Sequence, residues 1–386
     1  MLKLRIQRLP ISVLLRRIAL AYLIVWQLSP PMAYGAIWRI LALLAMLLWL
    51  ALDTLAARSV LRRPSWPVIG GALFMLYTVL IAWLIPDSTP FSAQYQIWIM
   101  FFFLLVGESH QRGHSDEARF CFWVVLLVLP IWTATTLWGL NTIGGHVSRV
   151  ISRSSEASRE LVEQGVGGFW YVYAVVLCMP FLAQLAIRPA MAMWGSEPRW
   201  KRRAKRLLIL GNFILAMLLV LRAQYSIALI LSLLAVAFVF LVRSRNPQRL
   251  AISVCLVCLL GLVAAVSINP VLNSLEGVAA GTEYGRKVRD VRISLNEEQS
   301  AGTVNSRAER YAKSLLTFSE HPVTGSLTRS QIGKHSAIID RFAQFGFVVG
   351  LMFFALMAYL PFRYLRWRQV PVGMAVAFMV VALGFP

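Results

Sequence analysis

Long apolar runs, separated by short polar connections, fill most of this chain of 386 residues. A helix needs about 20 apolar residues to cross the hydrocarbon core of a bilayer. By that measure the pattern predicts eleven membrane-spanning helices, at residues 18–33, 37–57, 66–85, 94–107, 120–140, 168–187, 207–222, 224–242, 250–268, 338–361 and 370–386. The predicted fold is therefore an all-α, polytopic membrane bundle.

One long polar stretch interrupts this pattern between the ninth and tenth predicted spans. Residues 269–337 contain signals for short helices, but too few apolar residues for a hydrophobic core of their own. We therefore expect three parts: residues 1–268 with nine spans, residues 269–337 as a large loop, and residues 338–386 with the last two spans. The loop is expected to gain its stability by docking on the membrane helices.

The local pattern within the loop predicts a helix that begins at Arg307. Asn305 and Ser306 belong to residue types that cap helix N-termini. Residues 321–325, His-Pro-Val-Thr-Gly, end the helix, because proline keeps the preceding residue out of helical geometry and glycine permits a turn. A helix N-terminus attracts anions, and Arg310 adds a second cation near it. The apolar face of this helix comprises Tyr311, Leu315 and Phe318.

Composition agrees with a membrane protein, since 58% of the residues are hydrophobic and only 14% are charged. The net charge of +21 does not indicate a nucleic-acid partner, because the Lys and Arg residues form short clusters between apolar runs rather than one basic face. Most of them fall in alternate short loops, as expected for cytoplasmic loops. This asymmetry predicts a cytoplasmic N-terminus and an outward-facing large loop.

A second set of cations lies on the predicted outer side, against this topological bias. Arg149 and Arg153 lie in the loop 141–168, Arg222 lies at the turn between spans seven and eight, and the large loop contains many more. Cations concentrated where membrane insertion disfavours them indicate an anionic ligand. The alternative is a solvated loop that happens to be basic.

Several loop residues together resemble a known family. Asn305-Ser306-Arg307 with Tyr311, Phe318, His321-Pro322 and Gly325, followed by Ile332-Gly333-Lys334-His335-Ser336 with Asp340 and Gly346, resembles the signature segment of the O-antigen polymerase and O-antigen ligase superfamily. Its members are integral-membrane glycosyltransferases of the GT-C-like class, with a large periplasmic loop between two late helices. The resemblance implies a multi-pass protein of the bacterial inner membrane whose site faces the periplasm.

The resemblance also assigns residues. Arg307 takes the place of the family's loop arginine, His335 that of its loop histidine, and Arg149 and Arg153 those of its earlier outer-loop arginines. Two departures are visible. Lys334 stands where the polymerases often have glycine, and Tyr225 stands where a family arginine begins a helix. Arg222 lies three residues before Tyr225 and would share its face on a continuous helix.

Such an enzyme would transfer a glycan from an undecaprenyl diphosphate to a sugar hydroxyl. Arginine binds phosphate oxygens through its planar fork and keeps its charge, so several arginines could replace a metal ion. His335 would act as the base or as a diphosphate donor. Asp340 would orient His335 or pair with Arg341. No cofactor and no metal are expected.

The predicted catalytic residues are therefore His335, Arg307 and Asp340. The residues expected to bind the diphosphate or substrate are Arg222, Arg149, Arg153, Arg310, Tyr311 and Lys334. Expected partners are the undecaprenyl-diphosphate-linked glycan, membrane lipid and a chain-length regulator protein, with no nucleic acid.

The leading hypothesis is polymerisation of these repeat units into O-antigen or a related surface polysaccharide. A ligase that transfers the glycan from the carrier to lipid A-core or another acceptor is the first alternative. A non-enzymatic transporter of lipid-linked oligosaccharides is the second. Transport would require polar residues distributed along the helices, whereas the second, third, fifth and ninth spans are nearly free of charge.

Overall fold

The computed structural model describes most of the chain. The described residues are 10–32, 35–56, 59–85, 87–88, 91–112, 115–143, 151, 156–187, 198–223, 225–242, 246–266, 281, 285, 289, 302–334, 336–366 and 370–384. Within them every regular element is helical and no strand is present.

The α-helices follow one another along the chain with mostly short connections. They are α1 (Ile11–Leu28), α2 (Ala36–Thr54), α3 (Trp66–Leu84), α4 (Phe91–Gln111), α5 (Ser115–Thr142), α6 (Glu156–Glu163), α7 (Phe169–Ile187), α8 (Arg199–Ala223), α9 (Ser226–Leu241), α10 (Pro247–Val266), α11 (Gly302–Glu320), α12 (Ala337–Arg366) and α13 (Val372–Leu383).

Seven of these helices are long and apolar enough to cross a bilayer, namely α1, α2, α3, α5, α7, α8 and α12. Helices α9 and α13 are equally apolar but shorter, with 16 and 12 residues. The chain is thus an all-helical membrane protein. Each of the eleven predicted spans overlaps one helix. The number of eleven membrane crossings stays a prediction.

The largest core surrounds α7, which packs against α8, α9 and α13. Small residues allow these helices to approach closely. Such packing is typical of membrane helices, because the hydrophobic effect does not drive helices together within lipid. At Gly373 in α13, an added Cβ would lie 2.5 Å from the carbonyl oxygen of Val242 and 2.8 Å from that of Phe238. Glycine at this position therefore brings the backbones of α9 and α13 into contact.

Helices α3 and α12 pack side by side in opposite directions. Trp66 at the start of α3 contacts Tyr359 late in α12, with ring centroids 5.3 Å apart. Further along α3, the ring centroid of Tyr77 lies 5.6 Å from that of Phe345, early in α12. The 19 residues of α3 rise about 1.5 Å each, so the helix is close to the thickness of a hydrocarbon core.

The bundle has polar contacts at both ends of this helix pair. Just after α3, Asp87 contacts the segment between α11 and α12, and Ser88 contacts Gln344 of α12; we call this end the loop end. At the opposite end, Ser65 before α3 donates a hydrogen bond to Glu108, which also pairs with Arg363 of α12.

Candidate functional site

The first feature of the loop end is a hydrogen-bonded cluster between α11 and α12. The hydroxyl of Ser314 donates to Asp340 Oδ1 at 2.5 Å and accepts the backbone N–H of Gly333 at 2.8 Å. Asp340 Oδ2 accepts the backbone N–H of Ser336 at 3.0 Å. We call Ser314, Gly333, Ser336 and Asp340 the loop cluster. Three of its members, Ser314, Gly333 and Asp340, are buried.

The same cluster caps the N-terminus of α12. Ser336 precedes the helix, and its hydroxyl accepts the N–H of Ile339 at 3.2 Å. Asp340 in turn accepts the N–H of Ser336, so the two side chains satisfy two backbone donors that a helix N-terminus leaves open. A carboxylate in the first turn also favours the helix dipole. The cluster thus positions the residues on both sides of His335.

Two glycines join the turn after α11 to α12. Gly346 has φ of 75° and ψ of −177° and interrupts α12, and Gly325 has φ of 70°. An added Cβ on Gly346 would lie 2.0 Å from the carbonyl oxygen of Val323. On Gly325 it would lie 2.3 Å from that of Gln344. Only glycine allows this approach at positive φ.

The interruption at Gly346 frees carbonyl groups of α12, and the turn supplies their donors. Ser326 donates its N–H to Ala343 O at 3.0 Å, and Leu327 donates to Gln344 O at 2.8 Å. These bonds satisfy backbone acceptors that would otherwise be buried without a partner. The turn is therefore held to α12 through backbone atoms.

Further hydrogen bonds hold the segment 329–331 between α3 and α11. The carbonyl of Asp87 accepts the N–H of Arg329 at 2.9 Å, and its carboxylate accepts the Ser330 hydroxyl at 2.7 Å. From α11, Lys313 donates to the Ser330 carbonyl at 2.8 Å, and Thr317 donates to the Gln331 carbonyl at 2.8 Å. Residues 329–331 are thus held from both sides.

Three predicted binding residues, Arg310, Tyr311 and Lys334, lie near this segment. Arg310 is exposed on α11, and its carbonyl oxygen would lie only 2.0 Å from a Cβ on Gly333. Tyr311 is half-buried one residue later. Lys334 is exposed and has φ of 61°, a left-handed conformation that favours glycine. The departure from the family pattern at Lys334 therefore falls where glycine would fit the backbone better.

Three of the predicted residues lie outside the described residues, namely His335, Arg149 and Arg153. Arg307 lies in α11, one turn before Arg310, and its side chain is likewise outside the described part. The backbone position places Arg307 on the same helix as Ser314.

The predicted start of the loop helix is wrong. Helix α11 begins at Gly302, so Asn305 and Ser306 lie inside it and Arg307 is not at its N-terminus. Residues 302–304 contain no proline, and once a helix is nucleated each added residue contributes a hydrogen bond. The anion site expected at this N-terminus loses its basis, whereas the predicted end at residues 321–325 is confirmed.

The predicted apolar face of α11 is also only partly buried. Ser314 and Thr317 are the side chains buried against the turn and α12, whereas Leu315 is 54% exposed. Phe318 is half-buried against Phe342, with ring centroids 5.8 Å apart. Hydrogen bonding to the turn outweighs apolar burial in setting the rotation of α11, because buried backbone groups need partners.

Arg222 lies at the C-terminal end of α8 and donates from Nε to Asn141 Oδ1 at 2.7 Å. Helix α8 ends at Ala223, and Tyr225 is the N-cap residue of α9. The two residues belong to different helices, so the continuous helix on which they would share one face is not present here. Tyr225 instead packs its ring against Phe169, at 5.6 Å between centroids.

Helix directions place Arg222 at the loop end. Helix α4 ends at the opposite end, with Glu108 in its last turn, and α5 begins there after a short connection, with Glu117 in its first turn. The C-terminal end of α5, with Asn141, therefore reaches the loop end. The structure thus brings Arg222, Arg310, Lys334 and Asp340 to one end of the bundle.

Arg341 is one of the predicted outer-side cations and the alternative partner predicted for Asp340. The two residues form no ion pair within 4 Å, and both belong to the described residues. Arg341 donates to Gln344 Oε1 at 2.8 Å, and its guanidinium carbon lies 5.6 Å from the Phe345 ring centroid. Gln344 donates to the carbonyl of Ser88 at 2.8 Å. This arrangement leaves Arg341 as a cation among aromatic rings at the loop end.

A second group of buried charges lies at the opposite end. Arg16, 3% exposed, pairs with Glu117 at 2.9 Å and lies 3.6 Å from Asp53. It also donates to the Ser109 hydroxyl at 3.1 Å and stacks over Trp49, 4.9 Å from the ring centroid. From the sequence, Arg16 is only one of the basic residues that predict a cytoplasmic N-terminus. Its position within an apolar helix was the clue to its burial.

Among the described residues, no group of three or more His, Cys, Asp and Glu side chains is placed to hold a metal ion. The cations of the loop end are the charged groups that an anionic ligand would meet there.

No protein-family model, curated protein or solved structure matches this chain. The resemblance to the O-antigen polymerase and ligase superfamily therefore rests on the residues quoted above.

Proposed function

We propose that this protein is a metal-independent glycosyltransferase of the O-antigen polymerase and ligase superfamily. It polymerises undecaprenyl-diphosphate-linked repeat units into O-antigen or a related surface polysaccharide. The observation that carries this proposal is the loop cluster, which fixes Gly333 and Ser336 on both sides of His335 beside the cations of α11.

The proposal includes a topology. The protein lies in the bacterial inner membrane and has a GT-C-like fold with eleven membrane-spanning helices. Its N-terminus is cytoplasmic and its loop end is periplasmic. The positive-inside pattern supports this orientation. The polar contacts at the two ends of α3 and α12 are separated by about one hydrocarbon thickness, which is what a spanning helix pair requires.

In the proposed reaction, the oxygen of an acceptor sugar hydroxyl attacks the anomeric carbon of the donor glycan. A bond forms between them, and the bond from that carbon to the diphosphate oxygen breaks. The hydroxyl proton passes to a base, for which His335 is the candidate, and the lipid diphosphate leaves. His335 alternatively donates a hydrogen bond to the diphosphate.

Cations at the loop end would stabilise the negative charge that develops on the leaving diphosphate. The candidates with a described backbone are Arg307, Arg310, Arg222 and Lys334. Arg149 and Arg153, which lie outside the described residues, are further candidates. Fixed charges of this kind act most strongly where water is excluded. Tyr311, half-buried beside Arg310, would contact the substrate.

Asp340 acts in this proposal as a positioning residue. Its carboxylate is occupied by the Ser314 hydroxyl and the Ser336 N–H, which fixes the backbone adjacent to His335. Arg341 is a further candidate to bind the diphosphate of the donor, since its described hydrogen bond and ring contacts are with an amide and two aromatic rings.

The distribution of buried charge favours an enzyme over a transporter. Among the described residues, the buried acidic and basic side chains are Arg16, Asp53, Glu108, Glu117 and Asp340, each within the first or last six residues of its helix. A transport path for a charged headgroup would need such groups at intermediate depth.

The test is a reconstituted assay with a synthetic undecaprenyl-diphosphate repeat unit and the purified protein in liposomes. His335→Ala and Arg307→Ala should each abolish chain extension, while Arg62→Ala, an exposed arginine of the opposite end, should leave it intact. Full extension by the first two variants would contradict the proposed site.

Two further arms separate the alternatives. Products with several repeats on the carrier indicate a polymerase, whereas transfer of a preformed chain to lipid A-core without extension indicates a ligase. Loss of activity with a chelator, restored by a divalent cation, would contradict metal independence.

A further inference from the structure

Helix α11 has exposed apolar side chains, and the docking contacts of the helix do not explain the exposure of Leu315. Leu315 is 54% exposed, although Ser314 beside it is fully buried. The turn that follows exposes Val323 even more, at 73%. Because Ser314 and Thr317 are hydrogen-bonded to the turn and α12, α11 cannot rotate to cover Leu315.

This apolar surface is continuous with the surface of a membrane-spanning helix. Phe318, one turn after Leu315, packs edge-to-face against Phe342 with ring centroids 5.8 Å apart, and the Phe342 and Phe347 centroids are 6.2 Å apart. Phe347 is exposed, and α12 carries it inside the candidate span Ile338–Arg363. The N–H of Phe347 donates to the carbonyl of Pro322 at 2.7 Å, which places Val323 beside the same surface.

The other exposed side of α11 is polar. Glu309 and Glu320 are exposed, and they lie seven residues before and four residues after Leu316. Residues spaced by four and seven share one helical face. Leu316 is 62% exposed, slightly more than Leu315, but it lies on this acidic face. Two adjacent leucines, both more than half exposed, thus face different surroundings.

We propose that α11 lies in the membrane interface, with Leu315 and Val323 in contact with lipid acyl chains and the Glu309–Leu316–Glu320 face in water. A helix with one apolar face next to a spanning helix fits this location. The partner is the lipid surface around α12. This proposal does not depend on the glycosyltransferase assignment.

The consequence is a fixed depth for the loop cluster. Ser314 precedes Leu315 directly, so lipid contact at Leu315 would hold the Ser314–Asp340 bond at the level of the lipid headgroups. Residues 333–336 would then lie at the depth of a headgroup rather than in bulk solvent.

The test uses a photoreactive diazirine amino acid placed singly at Leu315, Val323 or Leu316 in the full-length protein in native membranes. After irradiation, mass spectrometry identifies what each position has captured. Lipid adducts at Leu315 and Val323, several-fold above those at Leu316, would support the proposal. Equal lipid yields at Leu315 and Leu316, water addition alone at Leu315, or capture of a protein there would overturn it.

A milder pair of variants covers the case in which the photoreactive residue disturbs folding. In Leu315→Met and Leu316→Met, the introduced methionine is exposed to a water-soluble oxidant in sealed vesicles, with its oxidation read by peptide mass spectrometry. The methionine of Leu315→Met should oxidise several-fold more slowly. Equal oxidation rates in the two variants would contradict the lipid contact.

Discussion

The Ser314 hydroxyl donates to the Asp340 carboxylate at 2.5 Å across 26 residues of chain. The same hydroxyl accepts the Gly333 N–H at 2.8 Å, so one side chain joins α11, the loop and α12. A buried polar group that serves several partners is expensive to remove, because each partner loses a hydrogen bond. Ser314 is therefore the residue on which the loop end most depends.

Ser314→Ala should loosen the loop end. The substitution leaves the Gly333 N–H without its acceptor and removes a donor from Asp340, at a cost of about 1–3 kcal/mol. Hydrogen exchange of residues 330–336 in the solubilised protein should accelerate. Ser319→Ala, which alters an exposed serine of the same helix, is the control and should change nothing. Unchanged exchange in Ser314→Ala would contradict the cluster.

Gly346→Ala should prevent the turn from docking on α12. A methyl group there would lie 2.0 Å from the Val323 carbonyl oxygen at a φ of 75°. We expect little folded protein by size-exclusion chromatography after extraction. Gly211→Ala in α8 is the matched control, since nothing lies within 4 Å of its added Cβ. It should be neutral, or stabilising by about 0.5–1 kcal/mol through helix propensity. Equal yields of the two variants would refute the packing.

Arg16→Ala should destabilise the opposite end. Removing this guanidinium leaves Glu117 and Asp53 buried without their cation, which typically costs about 3–5 kcal/mol. Thermal unfolding in detergent should begin at a clearly lower temperature than in the wild type. Arg62→Ala removes an exposed arginine from the same end and should unfold like the wild type.

A double variant sharpens this prediction. In Arg16→Ala with Glu117→Gln, a neutral amide replaces the carboxylate that Arg16→Ala leaves unpaired. The loss of unfolding free energy should therefore be smaller than the sum of the losses in the two single variants. Strict additivity would show that Arg16 and Glu117 do not act as a pair.

Arg341→Gln should reduce transfer activity in the reconstituted assay while leaving the melting temperature nearly unchanged. Arg341 is proposed to contact the donor diphosphate, and glutamine keeps a hydrogen-bonding group near Gln344. Arg341→Lys keeps the charge without the planar fork, so it should retain partial activity. Arg366→Ala, an exposed arginine at the C-terminal end of α12, is the control. Full activity in Arg341→Gln would remove Arg341 from the proposed site.

The loop helix shows where sequence reasoning failed. Asn305 and Ser306 fit a helix cap, yet α11 begins at Gly302, because capping preference is a local signal that continued helical hydrogen bonding can override. Likewise Arg222 and Tyr225 are three residues apart, but a break between α8 and α9 places them in different helices. Spacing predicts a shared face only within one helix.

The sequence by itself determined the membrane class, the positions of the apolar helices and the end of α11 at His321-Pro322, since length, hydropathy and proline act locally. Only the tertiary structure decided the partners of Arg16, Ser314 and Asp340. These contacts join residues that are distant in the chain. No local pattern encodes them, because they depend on how the helices pack and on which buried polar groups then need partners.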